Sequence, residues 1–288
     1  MTTVDSGLLR TWSAEDGDAA QETRGRLLVV GGSQQTPGAV RLAAEAALRA
    51  GAETVQVLTV RSTAPALAVA VPELLVSGVE ETADGEIAPG AFGLAAQMAE
   101  RADVVLIGPG FMSPRAAVDL CGPLLPRLRS RVVVDALAMA FLADEPSFRF
   151  PDRHAILTPN VSELGLALDE DPERLQQEPD GGALRLARRA NAVVTSGGAT
   201  TYVATPDGGV WTDRTGPEGL AASGSGDVKA GIVAAAFGRL EDPEKAAVWG
   251  GHVHGRAGEL VASRVGRVGF VASDLLTAVP EILTSLTA

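Results

Sequence analysis

The chain has little of what disulfide scaffolds, membrane proteins and nucleic-acid binders are made from. It contains one cysteine, Cys121, so no disulfide can form within it, and that scarcity fits a protein of the reducing cytoplasm. Lysine is almost absent: among 288 residues only Lys229 and Lys245 occur, and the formal net charge is −12. A surface of that sign argues against nucleic acid or an anionic membrane as partner. No run of about 18 apolar residues is present, so no membrane-spanning helix is expected, and the first residues lack the apolar stretch of a secretion signal. The three histidines, His154, His252 and His254, include no pair four apart on one helix, and the cysteine is remote from all of them. A protein-held metal is therefore not expected, and the histidines read as surface groups or satisfied core groups.

What is present is apolar material for a large core, 46% of the chain, in a regular order. Arg26 to Gly32 reads as a buried strand, Ala39 to Ala50 as a helix stopped by Gly51, and Thr54 to Val60 as the next strand. Strand, helix and strand with short connections is the signature of a parallel sheet covered by helices on both faces. The alternation continues with strands at Ala102 to Ile107, Arg131 to Val134, Ala155 to Thr158 and Ala192 to Thr195. Helices are expected from Pro114 to Leu128, broken at Gly122-Pro123, then over Ala136 to Leu142, Ser162 to Leu168 and Gly182 to Ala190. Thr200 to Asp213 reads as a β-hairpin around Pro206-Asp207-Gly208, an antiparallel pair at one sheet edge. Helices over Val228 to Leu240, Pro243 to Ser263 and Ser273 to Leu286 close the chain. The expectation is a single α/β domain over residues 25–288, after a polar arm of residues 1–24 docked through Leu8, Leu9 and Trp12.

Ligands of an open parallel sheet collect beyond the carboxyl ends of its strands, and four turns fall there. They are Gly31-Gly32-Ser33 to Gly38-Ala39, Gly108-Pro109-Gly110, Thr158-Pro159-Asn160 to Glu163, and Gly224-Ser225-Gly226-Asp227. The first lacks the Lys-Ser/Thr of a Walker loop, and the second has Ser113 where a dinucleotide fingerprint has its third glycine. The fourth is the most pointed. Small residues from Ala221 to Gly226 leave the backbone nearly bare ahead of a helix, whose unpaired N–H groups and dipole can hold an anion such as phosphate. Asp227 has two readings there. It can cap the helix, or it can take a proton from an attacking hydroxyl while the amides receive the charge of a phosphoryl group. Lys229 follows two positions later, roughly 200° around the axis, which predicts a solvated or interface lysine.

Read in order, a set of short words resembles the ADP-dependent NAD(P)H-hydrate dehydratase family, a branch of the ribokinase-like fold. The words are Arg24 to Ser33, Gly38-Ala39, Pro72 to Val76, Ile107 to Gly110, Val133 to Ala136, Leu157 to Pro159 with Glu163, Gly198 to Thr201, and Gly224 to Asp227. They span nearly the whole chain, Arg24 to about Glu259. The resemblance implies a three-layer α/β/α sandwich with a mostly parallel sheet, and a repair reaction in which hydrated NADH or NADPH is dehydrated at the expense of ADP (or ATP), with magnesium beside the diphosphate. It places the hydrated cofactor against Ala39, Gly108, Gly110, Asn160 and Asp227. The nucleotide falls against Gly197, Gly198, Ala199, Thr200, Thr201, Gly224, Ser225 and Gly226. Asp227 becomes the catalytic base, the amides of Ser223 to Gly226 hold the phosphoryl group, and a homotetramer is implied.

Several positions depart from the family pattern. Asn160 stands in place of a histidine, exchanging an imidazole for an amide that can hydrogen-bond but not shuttle a proton. Gly197 stands in place of a lysine, and the word Asp135 to Ala140 loses an acid at Leu137 and an amide at its end. Two alternatives therefore accompany dehydration: an ATP-dependent small-molecule kinase using the same base and anion hole, and a nucleotide-binding homologue without turnover.

Overall fold

A computed structural model describes residues 1–12, 25–198 and 200–287. Its strands are β1 (Thr2–Thr3), β2 (Arg26–Val30), β3 (Thr54–Val60), β4 (Leu75–Val79), β5 (Val104–Ile107), β6 (Arg131–Val134), β7 (Ala155–Leu157), β8 (Val193–Gly197), β9 (Thr201–Ala204) and β10 (Val210–Asp213). They form one sheet in the order β1-β10-β9-β8-β7-β6-β5-β2-β3-β4. Neighbours are parallel throughout except at β9, which runs against β8 and β10. The expected hairpin is present but is not the sheet edge, because Thr2 and Thr3 pair in parallel with Trp211 and Thr212. Part of the expected arm is thus a strand of the sheet. Residues 6–12 (α1) continue it as a helix, with Leu9 fully buried and Trp12 edge-on to Trp211 at 5.4 Å. The rest of the expected arm, residues 13–24, lies outside the described residues.

The remaining helices are α2 (Pro37–Arg49), α3 (Ala64–Ala70), α4 (Phe92–Ala99), α5 (Pro114–Leu124), α6 (Ala140–Asp144), α7 (Val161–Leu168), α8 (Pro172–Gln177), α9 (Pro179–Ala190), α10 (Ser225–Leu240), α11 (Pro243–Val265) and α12 (Ala272–Thr287). Strand side chains alternate between two cores. Leu27 and Val29 of β2 with Val104 and Leu106 of β5 share a cluster with α2, α10, α11 and α12. Leu28, Val30, Val105 and Ile107 share one with α4, α5, α7 and α9. This is the period-two pattern of a sheet buried on both faces.

The chain reverses direction across the sheet at β2: β3 and β4 extend it one way, β5 to β10 the other. The crevice between the ends of β2 and β5 is therefore the topological switch point, where ligands of such sheets bind. The loops after these strands are joined there. The Gly32 amide donates to the Pro109 carbonyl at 2.7 Å, and Thr36 Oγ1 donates to the Gly110 carbonyl at 2.7 Å. Gly110 must be bare at this junction: its φ is +78°, and a methyl on it would lie 2.8 Å from the Thr36 carbonyl oxygen.

Candidate active site

A cleft of about 760 Å³ opens beyond the carboxyl ends of β2, β5, β6, β7 and β8, within the usual size of small-molecule sites. Its floor is polar. Asp135, the first residue past β6, accepts a hydrogen bond from Thr158 Oγ1 at 2.5 Å, and both residues are buried. Gly108 makes room for this pair, since at φ +122° a methyl on it would meet the Asp135 carbonyl oxygen at 1.9 Å. Ala136 follows in the left-handed region at φ 51°, a costly conformation for a residue with a Cβ and one that tends to accompany functional sites.

The wall at α7 is fixed by a reciprocal cap. Asn160 Oδ1 accepts from the Glu163 amide and Glu163 Oε2 accepts from the Asn160 amide, each at 2.9 Å. Facing it is the start of α10. That helix begins at Ser225, three residues earlier than the sequence suggested, and left-handed Gly224 (φ 86°) is its N-cap residue. Asp227 is then the third helical residue and makes no capping bond, so the capping reading is set aside. The Ser225 amide donates to the Ala222 carbonyl at 3.1 Å and is withdrawn from the expected phosphoryl cradle. The amides of Ser223, Gly224, Gly226 and Asp227 meet no protein acceptor among the described residues, and a methyl on Gly226 would touch nothing within 4 Å. The cradle is open on its ligand side.

Four carboxylates, Asp135, Glu163, Glu218 and Asp227, line the cleft with one ammonium, Lys229. Burial, and then the charge of Glu163, pushes the Asp227 carboxyl up to about 6. Burial raises Asp135 well above the usual carboxylate range, with Asp227 and Glu163 adding to it, and raises Glu163 too. An aspartate near 6 is ionised at neutral pH and still basic enough to draw a proton from a hydroxyl, which is the combination general-base chemistry requires. His254 Nε2 lies 2.9 Å from Ser225 Oγ; burial and the nearby Lys229 hold its pKa down to about 3, so the ring is neutral. No three metal-ligating side chains come together among the described residues. A magnesium ion would therefore be held mainly by a ligand's phosphate oxygens, its common mode of binding.

Of the residues singled out from the sequence, Ala39, Gly110, Asn160, Gly197, Gly198, Thr201, Gly224, Ser225, Gly226 and Asp227 all line this one cleft. Gly108 does not line it; its backbone lies against the Asp135 carbonyl instead. Thr200 is off the wall as well, its carbonyl lying 2.0 Å from where a methyl on Gly197 would sit. Ala199 is outside the described residues. Leu137 packs, half-buried, against the core shared with α4, α5, α7 and α9.

Lys229 overturns its expectation. It is buried, 9% exposed, with Nζ 3.4 Å from the Thr195 carbonyl of β8. The reason is that every residue of α10 from Val228 to Gly238 is buried, so the angle around the axis leads to another packed neighbour rather than to solvent. Asp135, Thr158 and Glu163 fall in turns or words singled out from the sequence but were given no role in the site, and His254 was read only as a surface or satisfied core group, whereas all four line the cleft. A polar residue immediately after an apolar strand was the available signal for Asp135 and Thr158. His254 comes from the middle of α11 and had no local signal.

The doubly covered sheet, the cleft at its switch point and the helix terminus with an acid beside it define a ribokinase-like α/β protein. The fold is similar to that of an ADP/ATP-dependent NAD(P)H-hydrate dehydratase from Bacillus subtilis, solved after co-crystallization with ATP and Mg2+ and soaking with CoA. The TM-score is 0.82 over 99% of this chain and 98% of that one, at 23% identity. More particularly, the chain belongs to the NAD(P)H-hydrate dehydratase family, whose model matches residues 27–281. It is 40% identical over 285 residues, 99% of this chain and 96% of the other, to an ADP-dependent (S)-NAD(P)H-hydrate dehydratase of Xanthomonas campestris. A bifunctional NAD(P)H-hydrate repair enzyme of Moorella thermoacetica is 37% identical over 91% of this chain, which spans 50% of that protein.

Proposed function

We propose that the protein is a hydro-lyase that restores NADH or NADPH from its hydrate at the expense of ADP, or of ATP. The observation that supports this most directly is Asp227, a carboxylate raised to about 6 beside the open amides of α10 in a cleft large enough for a nucleotide. The hydrated ring lies against Ala39, Gly110 and Asn160, and the nucleotide against Gly197, Gly198, Thr201 and Gly224 to Gly226. Asp227 takes the proton of the ring hydroxyl as its oxygen attacks the terminal phosphorus of ADP, and AMP departs. The amides of Gly224 and Gly226 receive the charge on the phosphoryl oxygens. Phosphate leaves far more readily than hydroxide, so the ring C–O bond then breaks, the neighbouring C–H releases its proton and the ring double bond returns. Asn160 orients the ring by hydrogen bonding and carries no proton. Magnesium neutralises the diphosphate when it is bound.

The reading is tested by incubating the protein with hydrated NADH, ADP and magnesium. The absorbance of reduced nicotinamide returns, with AMP and phosphate released in equal amounts. A stable phosphorylated product would assign kinase chemistry instead, and nucleotide binding without turnover would assign a non-catalytic homologue. The same reading makes the protein cytoplasmic, a single domain over residues 25–288 and a homotetramer, the last checked by light scattering. Among the described residues no helix is long and apolar enough to cross a membrane.

A further inference from the structure

We propose that Lys229 is a phosphate-binding residue of this cleft, meeting the phosphoryl oxygens of a nucleoside diphosphate from the floor while the α10 amides meet them from the helix end. The proposal rests on the reading that a nucleoside diphosphate occupies the cleft. Its first support is the charge balance. Among the described lining residues Lys229 is the one lysine or arginine, facing Asp135, Glu163, Glu218 and Asp227 in a chain of net charge −12. A diphosphate entering such a cleft meets repulsion from every ionised side chain except this one. The second support is hydrogen bonding. An ammonium has three donors, and among the described residues Lys229 uses one, in a long 3.4 Å bond to the Thr195 carbonyl, although it is only 9% exposed. Burying an amine with donors unfilled is costly, and an anion at the cleft floor is what would fill them.

The third support is position. Thr195 lies two residues before Gly197 at the end of β8, where the nucleotide is placed. Lys229 lines the same cleft as Asp135, Glu163 and His254, and the His254 ring bonds Ser225 in the first turn of α10. The ammonium is therefore among the floor, the α7 wall and the amide cradle. It also follows Asp227 by two residues on one buried helix, so the acid and the cation are held in fixed relation. A role as counter-ion to Asp135 and Glu163 alone makes a different prediction, since it needs no ligand.

Because the chain has only two lysines, Lys229 and Lys245, wild-type protein labelled with carbon-13 lysine gives two side-chain Cε signals. Titration with inorganic phosphate and then with ADP moves the Lys229 signal saturably and leaves that of Lys245 in place. If ADP raises the melting temperature while the Lys229 signal stays still, the phosphate role is overturned and the nucleotide reading survives. If phosphate moves Lys229 and ADP neither binds nor stabilises, the phosphate role survives and the nucleotide reading falls. Stillness with both probes and no stabilisation overturns both. In parallel, Lys229→Met raises the KM for ADP about tenfold or more, the loss of a charge-assisted contact, and changes that for the hydrate less than about twofold. A lower melting temperature with unchanged ADP affinity in the folded protein would instead mark Lys229 as a counter-ion only.

Discussion

At the scale of single residues, the site turns on how Glu163 and Asp227 share a small space. Asp227 must be ionised to act as a base, and it is raised to about 6 by burial and then by Glu163. Activity should therefore rise with pH through about 6, measured as kcat/KM for the hydrate. Glu163→Gln removes the neighbouring charge but keeps an oxygen that can accept from the Asn160 amide, so the acid limb should move to lower pH with little change in melting temperature. An unmoved limb would show that burial alone sets Asp227. Stability runs the other way. A carboxylate whose folded pKa is raised destabilises the fold as pH rises from its unfolded value through its folded one, and the whole cost is present above both. Asp227→Asn should thus lose turnover by about a thousandfold while still binding nucleotide. By calorimetry it should melt higher than wild type at about pH 8 and equally at about pH 3, below both values. Retained activity would remove Asp227 from the mechanism.

At the scale of elements, the site depends on two helices that both begin at the cleft. α2 starts beside Thr36 and Ala39, α10 beside Gly224, and they cross so closely that a methyl on Gly231 would lie 2.1 Å from the Ala43 carbonyl oxygen. Gly231→Ala forces them apart and should destabilise the protein by about 2 kcal/mol or more, read as a lower urea midpoint, although residue 231 touches no ligand. Both helices were legible in the sequence, as were the strands from β2 to β8 apart from β4, because a buried parallel sheet writes long apolar runs broken by glycine. α3, α4, α8 and β4 were not. α3 and α4 are short segments of mixed small residues, and Leu75 of β4 is 61% exposed, so neither periodicity nor burial marked them. The cleft was legible in the same measure. Glycine turns at strand ends named most of its rim, but the side chains on its floor came from registers and helix faces that only tertiary packing fixes. Lys229 shows the limit: two positions from the acid on an exposed helix would be solvent, and on a helix buried all round it is the floor of the site.

At the scale of the whole molecule, composition and site pull in opposite directions. The net charge of −12 sets up a field that opposes the approach of ADP, whereas the groups that would hold it once inside are local: open amides and one buried ammonium. Interactions between a surface and a ligand still in solution are screened by salt, and those between desolvated partners much less so. Raising ionic strength from about 0.01 to 0.15 M shortens the screening length from about 30 to about 8 Å, so it weakens the repulsion more than the local attraction. The protein should therefore respond to salt in the opposite sense from a basic phosphate-binding enzyme. At fixed pH and fixed magnesium, kcat/KM for ADP should rise severalfold as potassium chloride is added, through faster association, while the dissociation rate of bound ADP stays nearly constant in stopped-flow displacement. A fall in kcat/KM over that range would mean that attraction by the cleft, rather than repulsion by the whole surface, governs how the nucleotide arrives.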